Sequence, residues 1–187
     1  MKTAIFGGTF DPVHSAHLTV AREAADRFHL DRVLFIPAAH PPHKRDTHTA
    51  YEHRYRMVEL ACQADRRFEP SRLEEGQQQS YSYYTIERVK QTLAPGDRLF
   101  FLIGADAFAE IDTWHRSAEV LDAVEFIVVT RPGHHYHAPE GARLHRLETL
   151  ALPVSSSEIR QKLSAGRRAG ELPEPVQEYI REHRLYL

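Results

Sequence analysis

Short apolar runs alternate with helical periodicities along most of this chain. Thr3 to Gly7 is a strand-like run that stops in glycines. From about Ser15 to Phe28, Leu18, Ala21, Ala25 and Phe28 recur on one face, the spacing of an amphipathic helix. Arg32 to Ile36 is a second apolar run, closed by Pro37. Strand, helix and strand in such quick succession predict a βαβ unit and a parallel sheet.

Pro37 to Thr49 carries prolines and histidines without periodicity and reads as loop. A helix is expected from about Tyr51 to Ala64. Phe68 to Ser80 is polar, with room for one short strand. Tyr83 to Leu93 has helical spacing, and Pro95-Gly96 breaks it. Arg98 to Ile103, ended by Gly104, is a strong strand; Glu125 to Thr130, closed by Arg131-Pro132-Gly133, is another. A weaker run from Leu147 to Leu152 is expected to add a strand. Two helices, about Ser156 to Ser164 and Glu174 to His183, finish the chain. No repeat, low-complexity tract or long linker divides it. The pattern predicts an α/β fold: one doubly wound, Rossmann-like domain over residues 1–187, with a mainly parallel sheet and a small C-terminal helical segment. In such sheets ligands bind beyond the carboxyl ends of the strands, and the unusual residues cluster at those ends.

Composition narrows the class. The 187 residues are 42% hydrophobic and 27% charged, with a formal net charge of −2. A protein that lives on nucleic acid would carry a basic excess, so no nucleic-acid partner is expected and any anion site must be a local concentration of donors. The single cysteine, Cys62, sits in a helical pattern and reads as a buried thiol; with no second cysteine there is no intrachain disulfide, which fits a reducing cytosol. The N-terminus opens directly into a strand-like run without a signal segment, and nothing approaches the ~18 consecutive apolar residues of a membrane span. A soluble, cytoplasmic protein without a membrane partner is expected. No heptad or exposed apolar patch fixes the oligomeric state, and a homo-oligomer stays open.

The most informative segment is Gly7-Gly8-Thr9-Phe10-Asp11-Pro12-Val13-His14-Ser15-Ala16-His17. Glycines at a strand end permit a tight turn and let a phosphate approach the backbone. The segment is neither a G-x-G-x-x-G fingerprint nor a Walker A loop. His14 and His17, three apart on a first helical turn, share a face near the positive end of the helix dipole, where imidazole N–H groups can hold phosphate oxygens. As a metal pair they lack Cys or carboxylate partners. In Ser155-Ser156-Ser157-Glu158-Ile159-Arg160, hydroxyls cap a helix start that faces an anion with its N–H groups, and Arg160 adds a fork of donors. Gly104 and Asp106 follow a strand end, where Asp106 can cap a helix. Gly133-His134-His135-Tyr136-His137 lies in an irregular loop without a paired Cys or Glu and makes a poor metal site. No metal-binding residue is predicted.

These motifs resemble those of the bacterial nicotinate mononucleotide adenylyltransferases. That family belongs to the nucleotidyltransferase superfamily whose H-x-G-H element is related to that of class I aminoacyl-tRNA synthetases. The first segment is similar to the family's G-G-T-F-D-P-x-H-x-G-H signature, with Ala16 in place of the motif glycine. Pro41-Pro42-His43-Lys44 resembles its P-P-H-K loop, Ser155 to Arg160 its S-S-T/S-x-I-R element, and Ile103 to Asp106 its I-G-x-D segment. Arg131-Pro132-Gly133 resembles its R-P-G. Ser82-Tyr83-Tyr84-Thr85 is similar to its S-Y-T/S segment, Arg54 to Met57 to its R-x-x-M helix, and Trp114 matches the aromatic that stacks on the nicotinate ring. In the family a second aromatic often follows that tryptophan; here His115 does.

The resemblance implies a nucleotidyltransferase that moves an adenylyl group from ATP to nicotinate mononucleotide in NAD biosynthesis, releasing pyrophosphate. It gives His14, His17, Lys44 and Arg160 catalytic roles. ATP would be bound by Gly7, Gly8, Thr9, Phe10, Gly104, Asp106, Arg131, Ser156, Ser157 and Ile159. Nicotinate mononucleotide would be bound by Asp11, Tyr83, Thr85, Trp114 and Arg54. Mg²⁺ would be held mainly by ATP phosphates, without a protein metal cage. Nicotinamide mononucleotide or phosphopantetheine is the alternative acceptor, and a non-catalytic nucleotide sensor the alternative class.

Overall fold

The computed structural model describes residues 1–40, 47–150 and 154–187. Six strands, β1 (Lys2–Gly8), β2 (Arg32–Pro37), β3 (Phe68–Pro70), β4 (Arg98–Gly104), β5 (Glu125–Thr130) and β6 (Leu144–Glu148), form one sheet in the order β3-β2-β1-β4-β5-β6. Every pairing is parallel. Parallel neighbours need crossovers, and these are supplied by α1 (Ser15–Phe28), α2 (Tyr51–Cys62), α3 (Ser82–Lys90), α4 (Ala105–Ala109) and α5 (Ser117–Ala123). Two further helices, α6 (Ser156–Ser164) and α7 (Glu174–Glu182), follow the last strand.

The period-2 alternation of the strands splits the core in two. Ala4, Phe100, Leu102, Ile127 and Val129 point to one face and pack with Ala21 and Ala24 of α1, Met57 of α2, Ile159 of α6 and Ile180 of α7. Ile5, Phe101, Ile103, Phe126 and Val128 point to the other and meet Ile86 and Val89 of α3, Phe108 of α4 and Val120 of α5. Strand order reverses between β1 and β4. The β1–β4 ladder ends at Ile5 and Phe101, whereas β1 stays with β2 through Gly8 and Pro37. Beyond Ile5 the two central strands therefore part, and a crevice opens at their carboxyl ends.

One expectation is corrected, and one gap is filled. The last strand lies at Leu144–Glu148 rather than Leu147 to Leu152. Leu144 pairs with Phe126 and Leu147 is buried, whereas Leu150 is 82% exposed; the apolar tail of that run draws the eye past the real strand. The stretch between β4 and β5, for which no element was expected, folds as α4, a 3₁₀ turn (Ile111–Thr113) and α5, each too short to display a helical repeat. Among the described residues no helix is long and apolar enough to cross a membrane.

Candidate functional site

The first loop leaves β1 through Gly7 and Gly8. A side chain at Gly8 would place its Cβ 2.9 Å from the Phe10 ring, so glycine is required there by packing. Phe10 has a left-handed φ of 49°, which turns its ring inward. It is buried against Phe6, Phe35 and the His17 imidazole, at centroid distances of 5.7, 5.8 and 5.1 Å. Its place is thus beneath the site, supporting His17.

His14 is the N-cap of α1, in extended backbone. Its ring stacks on that of His17, 3.7 Å between centroids and 25° between planes. The His14 backbone N–H donates to His17 Nδ1 at 3.2 Å. That nitrogen must therefore carry a lone pair, which puts the proton of a neutral His17 on Nε2. Burial pushes the pKa of His14 down to about 4, partly opposed by the Glu171 carboxylate. Two stacked imidazolium ions would also repel each other. His14 is consequently a neutral group at pH 7. Its buried Nδ1 has no hydrogen-bond partner among the described residues.

The depressed His14 pKa predicts an acid-side loss of stability. Its folded value lies below the unfolded 6.5, so the unfolded chain binds the proton better. Stability is full above pH 6.5 and declines as pH falls toward 4. Urea unfolding of wild type should show a drop between pH 7 and pH 4.5 that is smaller in His14→Asn by about 2 kcal/mol. The same drop in both proteins would contradict this.

Opposite the histidines stands the start of α6. Ser155 caps it, its Oγ accepting from the Glu158 N–H at 3.2 Å. Ser156 Oγ donates to the Pro12 carbonyl at 2.9 Å. Arg160 donates through Nη1 to the Asp11 carbonyl at 2.7 Å and through Nη2 to Ser157 Oγ at 3.1 Å. Between these walls lies a cavity of about 380 Å³ lined by His14, Ala16, His17, Gly104, Ser156, Ser157 and Arg160, among others. The Ala16 methyl thus faces this space. A neighbouring cavity of about 300 Å³ is lined by Gly104, Asp106, Thr130, Arg131 and His134. Gly104 belongs to both. A Cβ there would meet nothing within 4 Å, so packing does not demand this glycine, and the space beside it is the cavity itself. The remaining α6 candidate, Ile159, is a core side chain with 1% exposure.

Arg54 and Asp11 sit behind the site as ties between loops. Arg54 is buried, its Nε donating to Thr49 O at 3.1 Å and its Nη1 to Thr9 O and Ala38 O at 2.8 Å each. Thr9 enters the site through this carbonyl. Asp11, also buried, accepts from the His48 N–H at 2.7 Å and the Tyr186 hydroxyl at 2.5 Å. Lys44, with its P-P-H-K loop, lies outside the described residues.

The residues expected around a pyridine ring gather apart from the two cavities. Trp114 is half-buried, edge-on to Phe101 at 6.0 Å. Tyr83 lies under the Arg116 guanidinium at 3.9 Å. Thr85 is buried, and its hydroxyl donates to Glu74 at 2.6 Å. The backbone N–H groups of Thr85 and Trp114, natural donors for a carboxylate, are engaged by Tyr81 O and Ile111 O. Sequence reasoning missed Glu171, whose carbonyl accepts from the Ser15 N–H at 2.8 Å, and Tyr186. Neither carries a local signal for the site, since Ser15 and Asp11, the site-loop partners, lie more than a hundred residues away in the chain.

The cytidylyltransferase-like family profile matches residues 5–162. A full-length relative from Solibacter usitatus, named "Probable nicotinate-nucleotide adenylyltransferase", is 61% identical over 187 residues, covering 100% of both chains. The chain belongs to the nicotinate-nucleotide adenylyltransferase family. A second relative with the same name, from Exiguobacterium sibiricum, is 43% identical and covers 100% of this chain and 99% of its own. The Plasmodium falciparum nicotinic acid mononucleotide adenylyltransferase complexed with NaAD matches the fold with a TM-score of 0.81 at 20% identity. That match covers 99% of this chain and 97% of that one.

Proposed function

We propose that this member of the family transfers the adenylyl group of ATP to nicotinate mononucleotide, forming nicotinate adenine dinucleotide and pyrophosphate. The observation that carries the site assignment is the single cavity into which His14, His17, Ser157 and Arg160 converge from the two ends of the sequence. The nicotinate acceptor is supported by the full-length relatives rather than by the disposition of donors around Trp114.

The acceptor phosphate attacks the α-phosphorus of ATP, a new P–O bond forms, and the bond to the β-phosphate bridging oxygen breaks. The nucleophile is already an anion, so neither a strong base nor a covalent protein intermediate is needed. Catalysis consists of aligning two mutually repelling anions and stabilising charge on the phosphoryl oxygens. In this reading the Nε2–H of His17 and the His14 ring donate to the α- and β-phosphates. Arg160 and Lys44 take the charge of the leaving pyrophosphate. Gly104 lets the nucleotide pass close to β4, while Asp106 and Arg131 meet its ribose and base. Asp11 and Arg54 act through the loops they tie.

Mg²⁺ supplies charge neutralisation on ATP in this chemistry. Among the described residues no group of three or more His, Cys, Asp or Glu could hold a metal, and imidazoles, hydroxyls and a guanidinium around the cavity are poor ligands for a hard cation. The donor set does not fit a protein-held Mg²⁺; the ion is assigned to the ATP phosphates.

Trp114→Ala should raise KM for nicotinate mononucleotide about tenfold, the loss of one aromatic stacking contact, and KM for ATP little. Equal effects on both would remove the stacking role. The reaction itself is tested by pyrophosphate release from Mg-ATP with nicotinate mononucleotide, nicotinamide mononucleotide and phosphopantetheine in parallel. Strong preference for the first is expected. Preference for another would leave the phosphate chemistry and overturn the acceptor, and silence with all three while ATP still binds would favour a sensor.

A further inference from the structure

We propose that Tyr186 is a positioning residue for adenylyl transfer: by occupying the Asp11 carboxylate it keeps the Arg160 guanidinium out of an ion pair there, so that its charge remains available to the phosphates of ATP. The inference rests on the assignment of Arg160 to those phosphates.

Asp11 is a buried anion at the tip of the first loop, 3% exposed. Such a group must find donors within the protein. Among the described residues it has two: Tyr186 donates to Oδ1 at 2.5 Å and the His48 N–H to Oδ2 at 2.7 Å. Arg160 is within reach as a third, because its Nη1 already donates to the Asp11 main-chain carbonyl at 2.7 Å. Arg160 and Tyr186 also line the same cavity of about 600 Å³, together with Ser157 and His48.

An arginine and a carboxylate form the strongest side-chain pair available here, especially when both forks engage. A guanidinium so paired has lost much of its charge for a ligand. The phenol satisfies Asp11 with a neutral donor and spares the cation. Burial and the adjoining Asp11 raise the Tyr186 pKa well above its ordinary value, so the hydroxyl keeps its proton at every working pH. Without it, Asp11 has a vacant acceptor, and Arg160, already on the main-chain carbonyl of the same residue, is placed to fill it. The tail would then control ATP affinity without touching ATP.

The test is steady-state kinetics, varying each substrate, on Tyr186→Phe, Arg160→Ala, both together, and D11N/Y186F, with Tm recorded for each. Tyr186→Phe should raise KM for ATP about tenfold, the scale of one charge-assisted contact, and KM for nicotinate mononucleotide less than twofold. In the Arg160→Ala background the same change should add nothing. In D11N/Y186F, with no carboxylate to capture Arg160, KM for ATP should return toward wild type. A rise shared by both substrates, a rise persisting without Arg160, or no rise at all would overturn the proposal. Should Tyr186→Phe not fold, D11N and D11N/Y186F carry the test: equal KM for ATP supports it, a further rise overturns it. Arg160→Ala with unchanged KM for ATP would instead sink the assignment of Arg160 on which the proposal rests.

Discussion

Replacing His17 with alanine is expected to lower kcat about 10²–10³-fold, the usual loss when one preorganised donor to a developing charge is removed. KM for both substrates should change little. The expectation follows from three contacts. The His14 N–H fixes Nδ1 of His17 as an acceptor, the stacked His14 ring holds its plane, and Phe10 supports it from below. The remaining nitrogen is thus a donor aimed without reorganisation, which is worth most where charge appears during the reaction. His17→Asn, with a shorter donor, should recover only part of the rate. Steady-state kinetics in which kcat is untouched, or in which only KM rises, would contradict this role.

Arg54→Ala is expected to cost about 3 kcal/mol of stability, because a buried cation that spans several carbonyls leaves them unsatisfied when it goes. For a chain of this length that corresponds to a fall in Tm of roughly 6–12 °C. The guanidinium joins Thr9 of the first loop to Ala38 and Thr49 on either side of the second. Activity should fall as well, since the loop that presents His14 loses its brace. Arg54→Lys should rescue poorly: one ammonium cannot copy a planar fork that reaches four carbonyls. A Tm near wild type in Arg54→Ala would show that these carbonyls find other partners or water.

These two residues illustrate what the sequence disclosed. His17 was legible because its environment is local: a strand, two glycines, a helix start and a second histidine three positions away. The same locality made Ser155 to Arg160 readable as a capped helix facing an anion, and both segments do line one cavity. The helical position of Arg54 was legible, but its inward contacts were not. Nothing in a helical Arg-x-x-Met announces that the arginine points inward at carbonyls from segments up to 45 residues distant. Phe10 and Ile159 lie in motifs whose spacing suggests ligand contact, yet burial turns both into support. Asp11 and Tyr186 are 175 residues apart, and only the completed fold makes them neighbours. Among the strands, those with dense apolar runs at the centre of the sheet were plain. The edge strand at Leu144–Glu148, three of whose five positions are polar, was displaced by a more apolar run beside it.

The most direct test is the fate of the α-phosphorus. ATP labelled at that position should be incubated with nicotinate mononucleotide and Mg²⁺, in wild type and in His17→Ala. The account predicts that label enters a dinucleotide, one equivalent for each pyrophosphate released, only when the acceptor is present, and that the variant does so about 10²–10³-fold more slowly. Label recovered as AMP or ADP, or transfer at the wild-type rate without His17, would contradict it.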